Sequence, residues 1–374
     1  MTVGSPDTKH LPWAKPDLAG REREYVDDAL TSTWVSGGPY VDRLEREVGG
    51  YCGAPHALAV ANGTVAIHLA YLAIGLKPGD EVVIPGFAFL AAANVALHMG
   101  ARPVFAEVDP HTWCLTAEAI EKVLTPRTRA VVPVHTYGNA CDMDPIMALC
   151  RPRKIWVIED AAESFGTRSR GKMTGTIGDL GTLSFQATKT ITTGEGGMVF
   201  TNHPDLVQTM KLYRSHGMLK TRYLHELPGL NFRLTNMQAA VGCAQFERLP
   251  SMIESRRHMI ERYRESLANL PGVALQRFED NIDPVVWAIG VKLDAADYPQ
   301  GRDAVIGALE TMGIETRPGF YPPSAMRELY GEQAELPICD DVSRQVISLP
   351  SFPTLTAAEI GHVCAALGSL RRGA

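Results

Sequence analysis

A single lysine, Lys189, lies in a polar turn between two β-rich runs, Thr182–Phe185 and Met198–Thr201. A fixed, partly desolvated lysine amine can attack an aldehyde and form a Schiff base. The glycine-rich run at 194–197 lacks the spacing of a dinucleotide fingerprint and the lysine–serine/threonine end of a phosphate loop. It is typical of a tight turn into the next strand. The segment therefore predicts an enzyme with a carbonyl cofactor.

A carboxylate is predicted at the end of another strand. Asp160 follows the apolar run Lys154–Glu159, and open parallel sheets bind ligands at the carboxyl ends of their strands. There it could pair with a ring-nitrogen cation and favour its charged form. Strand alternation directs the neighbouring Glu159 to the opposite side. Asp160 could equally cap a helix beginning at Ala161.

Two further segments could bind an anion. Gly63 and Thr64 lie between a predicted strand and a helix. Gly63 permits a close backbone approach, and Thr64 offers a hydroxyl and an amide where the helix dipole favours negative charge. Ser184, five residues before Lys189, supplies a second hydroxyl. A helix cap and a satisfied buried serine are the alternative interpretations.

Aromatic and histidine residues follow other strand ends. Phe87 or Phe89 could cover a flat ring, although core packing explains either one equally well. His135 faces the same sheet edge, with a hydrogen-bonded loop as its alternative. Taken together, the amine, carboxylate, anion site, second hydroxyl and aromatic ring are the groups needed to bind pyridoxal phosphate, PLP.

The elements that must position these residues follow from apolar runs. Predicted strands in the first part of the chain are Ala57–Ala61, Glu81–Ile84, Arg102–Phe105, Ala130–Pro133, Lys154–Glu159 and the two runs around Lys189. Helical stretches separate most of them, which favours an α/β fold with a largely parallel sheet. After residue 245 a long helix, Phe246–Leu270, leads into strands Val273–Gln276 and Val286–Val291. We predict a PLP-binding domain with an N-terminal arm at 1–245 and a small α+β domain at 246–374.

Composition excludes several classes of protein. The net charge of −6 and pI near 6.0 disfavour a nucleic-acid partner. Seven cysteines without a C-x-x-C pair indicate neither a disulfide scaffold nor a thiolate metal site. Residues 1–12 lack a signal-peptide pattern, and no apolar run reaches the ~18 residues of a membrane helix. We expect a cytoplasmic protein without membrane or metal partners.

Several motifs in combination resemble one enzyme family. The segments SFQATKTITTGEGGMV, EDAAESFG, NGTVAIHLA, GDEVVIP and NFRLTNMQAAVGCAQ look like the DegT/DnrJ/EryC1/StrS aminotransferases. The resemblance extends from Trp13 to about Leu367. It implies fold type I, the aspartate aminotransferase-like fold, and a cofactor that alternates between PLP and its aminated form, PMP. Enzymes of this family aminate keto-sugars attached to nucleotides.

The resemblance also implies a role for each matching residue. Lys189 would carry the Schiff base and shuttle the proton. Asp160 would pair with the pyridinium nitrogen. The cofactor phosphate would be held by Gly63, Thr64 and Ser184.

Further matches concern the ring and the subunit interface. Phe89 would cover the cofactor ring, and Glu163 would lie near its 3-hydroxyl, as in 4-aminating members. Asn231 resembles an asparagine that reaches the phosphate of the neighbouring subunit. That match implies an obligate homodimer with shared active sites.

The substrate is inferred from a narrower resemblance. The opening LPWAKPDL…STWVSGGPYVDRLE and the TKTITTGEGGMV segment resemble members that aminate C4 of GDP-4-keto-6-deoxymannose with L-glutamate as donor. Trp34 and His135 would then lie near the sugar. Arg317 is a candidate for binding a substrate anion, with a surface salt bridge as the alternative.

Other activities within the family stay open. Ser324 stands where many members have histidine, so a 3-aminotransferase or an enzyme of dTDP-sugars is an alternative. Sugar dehydratases of the family have histidine in place of the Schiff-base lysine, so Lys189 favours transamination. A PLP-binding regulator without turnover is the remaining alternative.

Overall fold

The computed structural model describes residues 10–373, so the predictions for residues 1–12 and for the two chain ends lie partly outside the described residues. The strands are β1 His56–Val60, β2 Glu81–Pro85, β3 Arg102–Ala106, β4 Thr128–Val131, β5 Trp156–Asp160, β6 Arg168–Ser169, β7 Lys172–Met173, β8 Leu180–Ser184, β9 Gly197–Thr201, β10 Val273–Leu275, β11 Ile282–Asp283, β12 Ile289–Leu293, β13 Arg317–Pro318 and β14 Val346–Leu349. The helices are α1 Glu22–Thr31, α2 Pro39–Cys52, α3 Gly63–Ala73, α4 Ala91–His98, α5 Ala117–Glu121, α6 Met143–Cys150, α7 Pro204–Arg214, α8 Asn236–Glu247, α9 Leu249–Leu267, α10 Arg302–Thr311, α11 Arg327–Tyr330, α12 Pro337–Gln345 and α13 Ala357–Ser369.

The main sheet has seven strands in the order β1-β9-β8-β5-β4-β2-β3. Strands β8, β5, β4, β2 and β3 are parallel, while β9 runs antiparallel to both of its neighbours. The predicted α/β architecture with a mostly parallel sheet is confirmed. Because β1, β2, β4, β5 and β8 all point the same way, the segments that follow them meet at one edge of the sheet.

The long charged helix predicted at 246–270 is present as α9, Leu249–Leu267, and a separate helix, α8, precedes it. The backbone of Arg248 leaves helical geometry, and α9 restarts with Pro250 in its first turn, where proline is tolerated. The preceding helix α8 was not predicted, because it packs against both α1 and α2 and so has no continuous polar face. Small residues such as Ala240 and Gly242 allow this close packing.

The second sheet has four antiparallel strands, β10-β12-β14-β13. Strand β12 begins at Ile289 rather than at the predicted Val286, so Trp287 lies in the connection before this strand. Leu11 forms a bridge with Ile314, which attaches the start of the described chain to this second half. The domain division at residues 245 and 246 stays a prediction.

The length and hydropathy of the helices bear on membrane association. Between residues 10 and 373, none of the helices combines enough length with enough apolar character to cross a bilayer.

Candidate active site

A cavity of about 730 Å³ opens at the edge where the parallel strands end. Seven of the predicted site residues line it: Gly63, Thr64, Phe89, Asp160, Glu163, Ser184 and Lys189. They come from four separate connections of the chain, those that follow β1, β2, β5 and β8. The cavity is therefore built by the sheet topology rather than by one local motif.

The lysine turn connects the neighbouring strands β8 and β9. The Phe185 amide donates to Gly196 O (2.8 Å), and the Thr193 amide donates to Phe185 O (2.9 Å). Within the turn, the Lys189 amide donates to Gln186 O at 2.9 Å. Gly194 adopts φ +82°, a left-handed conformation that glycine allows at little energetic expense. The glycine run thus closes the turn that presents Lys189.

The amine of Lys189 is half-buried and lies over an aromatic face. Its Nζ is 3.5 Å from the centroid of the Trp287 ring. Burial lowers the pKa of Lys189, while the carboxyl groups of Glu163 and Asp160 act in the opposite direction. The amine therefore loses its proton at a lower pH than a solvated lysine does, as a proton-accepting group requires.

Two adjacent carboxylates at the end of β5 face opposite sides, as strand alternation predicted. Asp160 lines the cavity, whereas Glu159 accepts backbone N–H groups from Gly175 (2.9 Å), Ile177 (2.6 Å) and Gly178 (2.6 Å). The imidazole of His135 contacts Glu159 Oε2 through Nε2 at 2.9 Å. Glu159 thus stabilises the end of β5 through hydrogen bonds on the side away from the cavity. Asp160 is on the cavity side of the strand.

Asp160 itself is 5% exposed. Its Oδ1 accepts the Ala162 amide at 3.1 Å, and the chain continues in turns instead of the helix that the capping alternative required. Burial raises the pKa of Asp160, and this backbone hydrogen bond opposes the rise. A cation placed against this carboxyl would stabilise its charged form.

The anion-binding candidates meet at the start of α3. Asn62 caps the helix by accepting the Val65 amide at 2.9 Å, so Gly63 and Thr64 form the first turn. A Cβ added to Gly63 would lie 3.0 Å from the Ser184 Cβ. The helix start and the serine hydroxyl therefore border the same small space, where the backbone amides and the helix dipole favour an anion.

Glu163 is a buried carboxyl inside the same cavity. Its Oε2 accepts the backbone N–H of Tyr137 at 2.9 Å. Burial raises the pKa of Glu163 to about 7, although attraction to Lys189 and the Tyr137 hydrogen bond oppose the rise. Glu163 consequently exchanges a proton near neutral pH.

His135 is fully buried behind the cavity wall. Its Nδ1 accepts the Cys141 amide at 3.1 Å, so the proton resides on Nε2 and is donated to Glu159. Both ring nitrogens are therefore used within the protein. The hydrogen-bonded alternative fits this residue, and the predicted contact with the sugar does not.

Three other predicted residues, all within the described part of the chain, lie outside the cavity lining. Trp34 is 63% exposed, and its carbonyl accepts the Asn236 side chain at 2.7 Å. Asn231 is exposed and pairs with Ser215. Arg317 forms an ion pair with Glu315, which is the salt bridge considered from sequence.

Four further residues that line the cavity were not identified from the sequence: Trp13, Gln186, Trp287 and Phe320. Gln186 precedes Lys189 closely enough to have been considered with it. Trp13, Trp287 and Phe320 come from segments far away in sequence. Nothing in their local patterns distinguishes them from core aromatic residues.

Comparisons with known proteins agree with this geometry. Residues 16–368 match the DegT/DnrJ/EryC1/StrS aminotransferase family. The chain is 42% identical to a GDP-perosamine synthase of Caulobacter vibrioides, covering 96% of this chain and 98% of the relative. It is 38% identical to a GDP-perosamine synthase of Escherichia coli O157:H7, covering 95% and 97%.

A solved structure gives the same result for the fold. The aminotransferase TlmJ of Streptoalloteichus hindustanus superimposes with a TM-score of 0.91 at 30% identity, covering 96% of this chain and 98% of that one. The predicted family and the aminotransferase fold are both confirmed. This chain belongs to the DegT/DnrJ/EryC1/StrS aminotransferase family.

Proposed function

We propose that this protein is a PLP-dependent aminotransferase that moves the amino group of L-glutamate to C4 of GDP-4-keto-6-deoxymannose and so forms GDP-perosamine. The observation that carries the proposal is the convergence of Lys189, Asp160 and the anion site around Gly63 in one cavity. The relatives named as GDP-perosamine synthases support the choice of nucleotide and sugar.

The residues of the cavity fit PLP. An alanine at position 63 would bring its Cβ within 3.0 Å of the Ser184 side chain, so the space for a phosphate depends on Gly63. The buried carboxyl of Asp160 suits a protonated ring nitrogen. The amine of Lys189 is partly desolvated, as attack on the cofactor aldehyde requires.

The main task of the protein's own residues in this reaction is to transfer a proton. When bound, PLP supplies the aldehyde that carries the amino group and a ring that withdraws electrons from the carbon losing its proton. The neutral Nζ of Lys189 would take that proton and later return it. Asp160 would hold the ring nitrogen in its protonated form. Phe89, which is 62% exposed and lines the cavity, would cover the ring.

Amination at C4 is supported by Glu163. The resemblance associates glutamate at this position with 4-aminating members. Its pKa of about 7 also allows Glu163 to hold or release a proton beside the reacting groups at neutral pH.

The assay for this proposal combines two measurements. Incubation with L-glutamate alone should release 2-oxoglutarate and change the visible spectrum of the bound cofactor. Subsequent addition of GDP-4-keto-6-deoxymannose should yield the amino sugar, detected by mass spectrometry. A parallel panel of dTDP-4-keto and 3-keto sugars tests the substrate. Preferential turnover of a dTDP-sugar would refute the GDP assignment, and no 2-oxoglutarate release would refute transamination.

We also propose a cytoplasmic homodimer with shared sites. Asn231 is exposed, which suits contact with the phosphate in a neighbouring subunit. The seven cysteines are unpaired and buried, as is usual in a reducing compartment.

Mixing two inactive variants tests the sharing. If Asn231 serves the partner's cavity, a dimer of Lys189→Ala with Asn231→Ala subunits contains one intact site. Activity should rise when the two variants are unfolded and refolded together. No gain over Asn231→Ala alone, with dimers verified by analytical ultracentrifugation, would refute sharing.

A further inference from the structure

The indole of Trp287 is held rigidly beneath the amine of Lys189. Its Nε1–H donates to the carbonyl of Thr188 at 2.8 Å, the residue directly before the lysine. Trp287 is 8% exposed, and its ring packs edge to face against that of Trp13, with centroids 5.6 Å apart. The Trp287 side chain thus makes two contacts with the lysine turn. Its Nε1–H binds the backbone at Thr188, and its ring centroid lies 3.5 Å from the Lys189 amine.

The backbone of Trp287 is fixed as firmly as its ring. The amide donates to Tyr137 O at 3.0 Å. The carbonyl accepts from Arg256 Nη1 (3.0 Å) and from Ser351 Oγ (2.7 Å). Together with Thr188 and Trp13, segments from five separate parts of the chain therefore determine where this indole lies.

An indole face stabilises a cation and gives no comparable stabilisation to a neutral amine. We propose that Trp287 is a positioning residue that receives the protonated ε-amine of Lys189 on its indole face and holds it between proton uptake and return. This inference rests on the proposed function, because it concerns the proton relay of the lysine. It adds a residue to that relay which sequence analysis did not identify.

The charged groups around Lys189 explain why an uncharged indole is suited to stabilise its ammonium form. Glu163 and Asp160 raise the pKa of the amine, while burial and the Arg256 guanidinium lower it. Asp160 is needed for the ring nitrogen, so it is not available as a dedicated partner of the ammonium. The indole stabilises the ammonium without forming a carboxylate salt bridge that would hold the amine away from the reacting carbon.

The test uses tryptophan analogues of nearly unchanged shape. Protein containing mono-, di- and trifluorotryptophan retains the packing of the indole but has a progressively weaker ring quadrupole. The pKa of Lys189 is measured in the cofactor-free protein from the pH dependence of reductive methylation at that residue, followed by mass spectrometry. We expect the pKa to fall stepwise by about 1 in total, a tenfold loss of proton affinity.

The Trp287→Phe variant is the matched control. The chain has five tryptophans, and in this background fluorination of the other four should leave the pKa of Lys189 unchanged. If the variant does not fold, incorporation of the analogues at position 287 alone replaces it. A pKa that stays constant or rises with fluorination would overturn the proposal, because the indole would then act only by excluding water.

Failure of this inference is distinguishable from failure of the proposed function. The labelling experiment needs no cofactor, whereas the function is tested separately by PLP absorbance and 2-oxoglutarate release. In the active enzyme, the acidic limb of the pH profile for the glutamate half-reaction should move to lower pH with fluorination. A purely structural role for Trp287 would leave that limb in place.

Discussion

Replacing Glu163 by glutamine should stabilise the cofactor-free protein, and the gain should grow as the pH rises. Glutamine keeps the shape of the side chain and can still accept the Tyr137 N–H through its amide oxygen. It removes a carboxyl that is 4% exposed and becomes charged in a site where burial disfavours the charge.

The size of the effect follows from the shift in pKa. Burial raises the pKa of Glu163 from 4.5 to about 7, a difference of about 3 kcal/mol in free energy. Below pH 4.5 the carboxyl is protonated in both folded and unfolded chains, so the variant gains nothing. Between that pH and about 7 the unfolded chain loses its proton first, and wild-type stability declines. Above pH 7 the full difference of about 3 kcal/mol separates the two proteins.

Thermal unfolding measured across pH is the assay. For 374 residues, about 3 kcal/mol corresponds to a difference in Tm of about 4 °C. We expect Glu163→Gln to unfold about 4 °C above wild type at pH 8 and at nearly the same temperature at pH 4.5. A difference in Tm that is independent of pH would refute the buried-charge reasoning.

Glu159→Gln provides the control with the opposite sign. That carboxylate accepts three backbone amides and the His135 ring, and a glutamine NH₂ group would face donors instead. This variant should be less stable than wild type at every pH, because buried donors lose their acceptor. Stabilisation of Glu159→Gln at pH 8 would show that any loss of buried charge gives the effect.

Three other predictions concern the proposed cofactor site. Lys189→Ala should abolish amino-sugar formation measured by mass spectrometry, because no other amine is predicted to shuttle the proton; near-normal product would contradict this. Asp160→Asn should lower kcat about 100-fold, because the ring nitrogen loses its charged partner; an unchanged kcat in steady-state assays would contradict the pairing. Gly63→Ala should weaken PLP binding at least about tenfold in absorbance titrations, because the new Cβ would lie 3.0 Å from Ser184. Gly50→Ala, where nothing lies within 4 Å of the added Cβ, should leave PLP affinity unchanged, and an equal loss there would contradict the steric explanation.

Much of the fold was predictable because strand signals are local. The continuous apolar runs ending at Pro85 and Asp160 correspond to buried parallel strands, and the sheet edge then followed from strand direction. That edge is why Gly63, Asp160, Ser184 and Lys189 could be grouped without coordinates.

The aromatic wall of the cavity could not be predicted in this way. Trp287 faces Lys189 only because the connection before β12 folds back over the turn, and no periodicity encodes that contact. Helix α8 was missed for a related reason, since burial between two helices removes the polar face that sequence patterns detect. For His135, both interpretations fitted the sequence, and the hydrogen bonds to Glu159 and Cys141 decide between them.

The attachment of Trp13 to the far end of the chain has a consequence for synthesis on the ribosome. Its indole Nε1 donates to Ser348 Oγ at 2.9 Å, across 335 residues of sequence. At ordinary elongation rates, roughly 20 to 70 s separate the translation of these two partners. During that interval Trp13 lacks this hydrogen-bond partner. Phe320, which lines the same cavity as Trp13, is also made long after it, so the cavity wall is complete only late in synthesis.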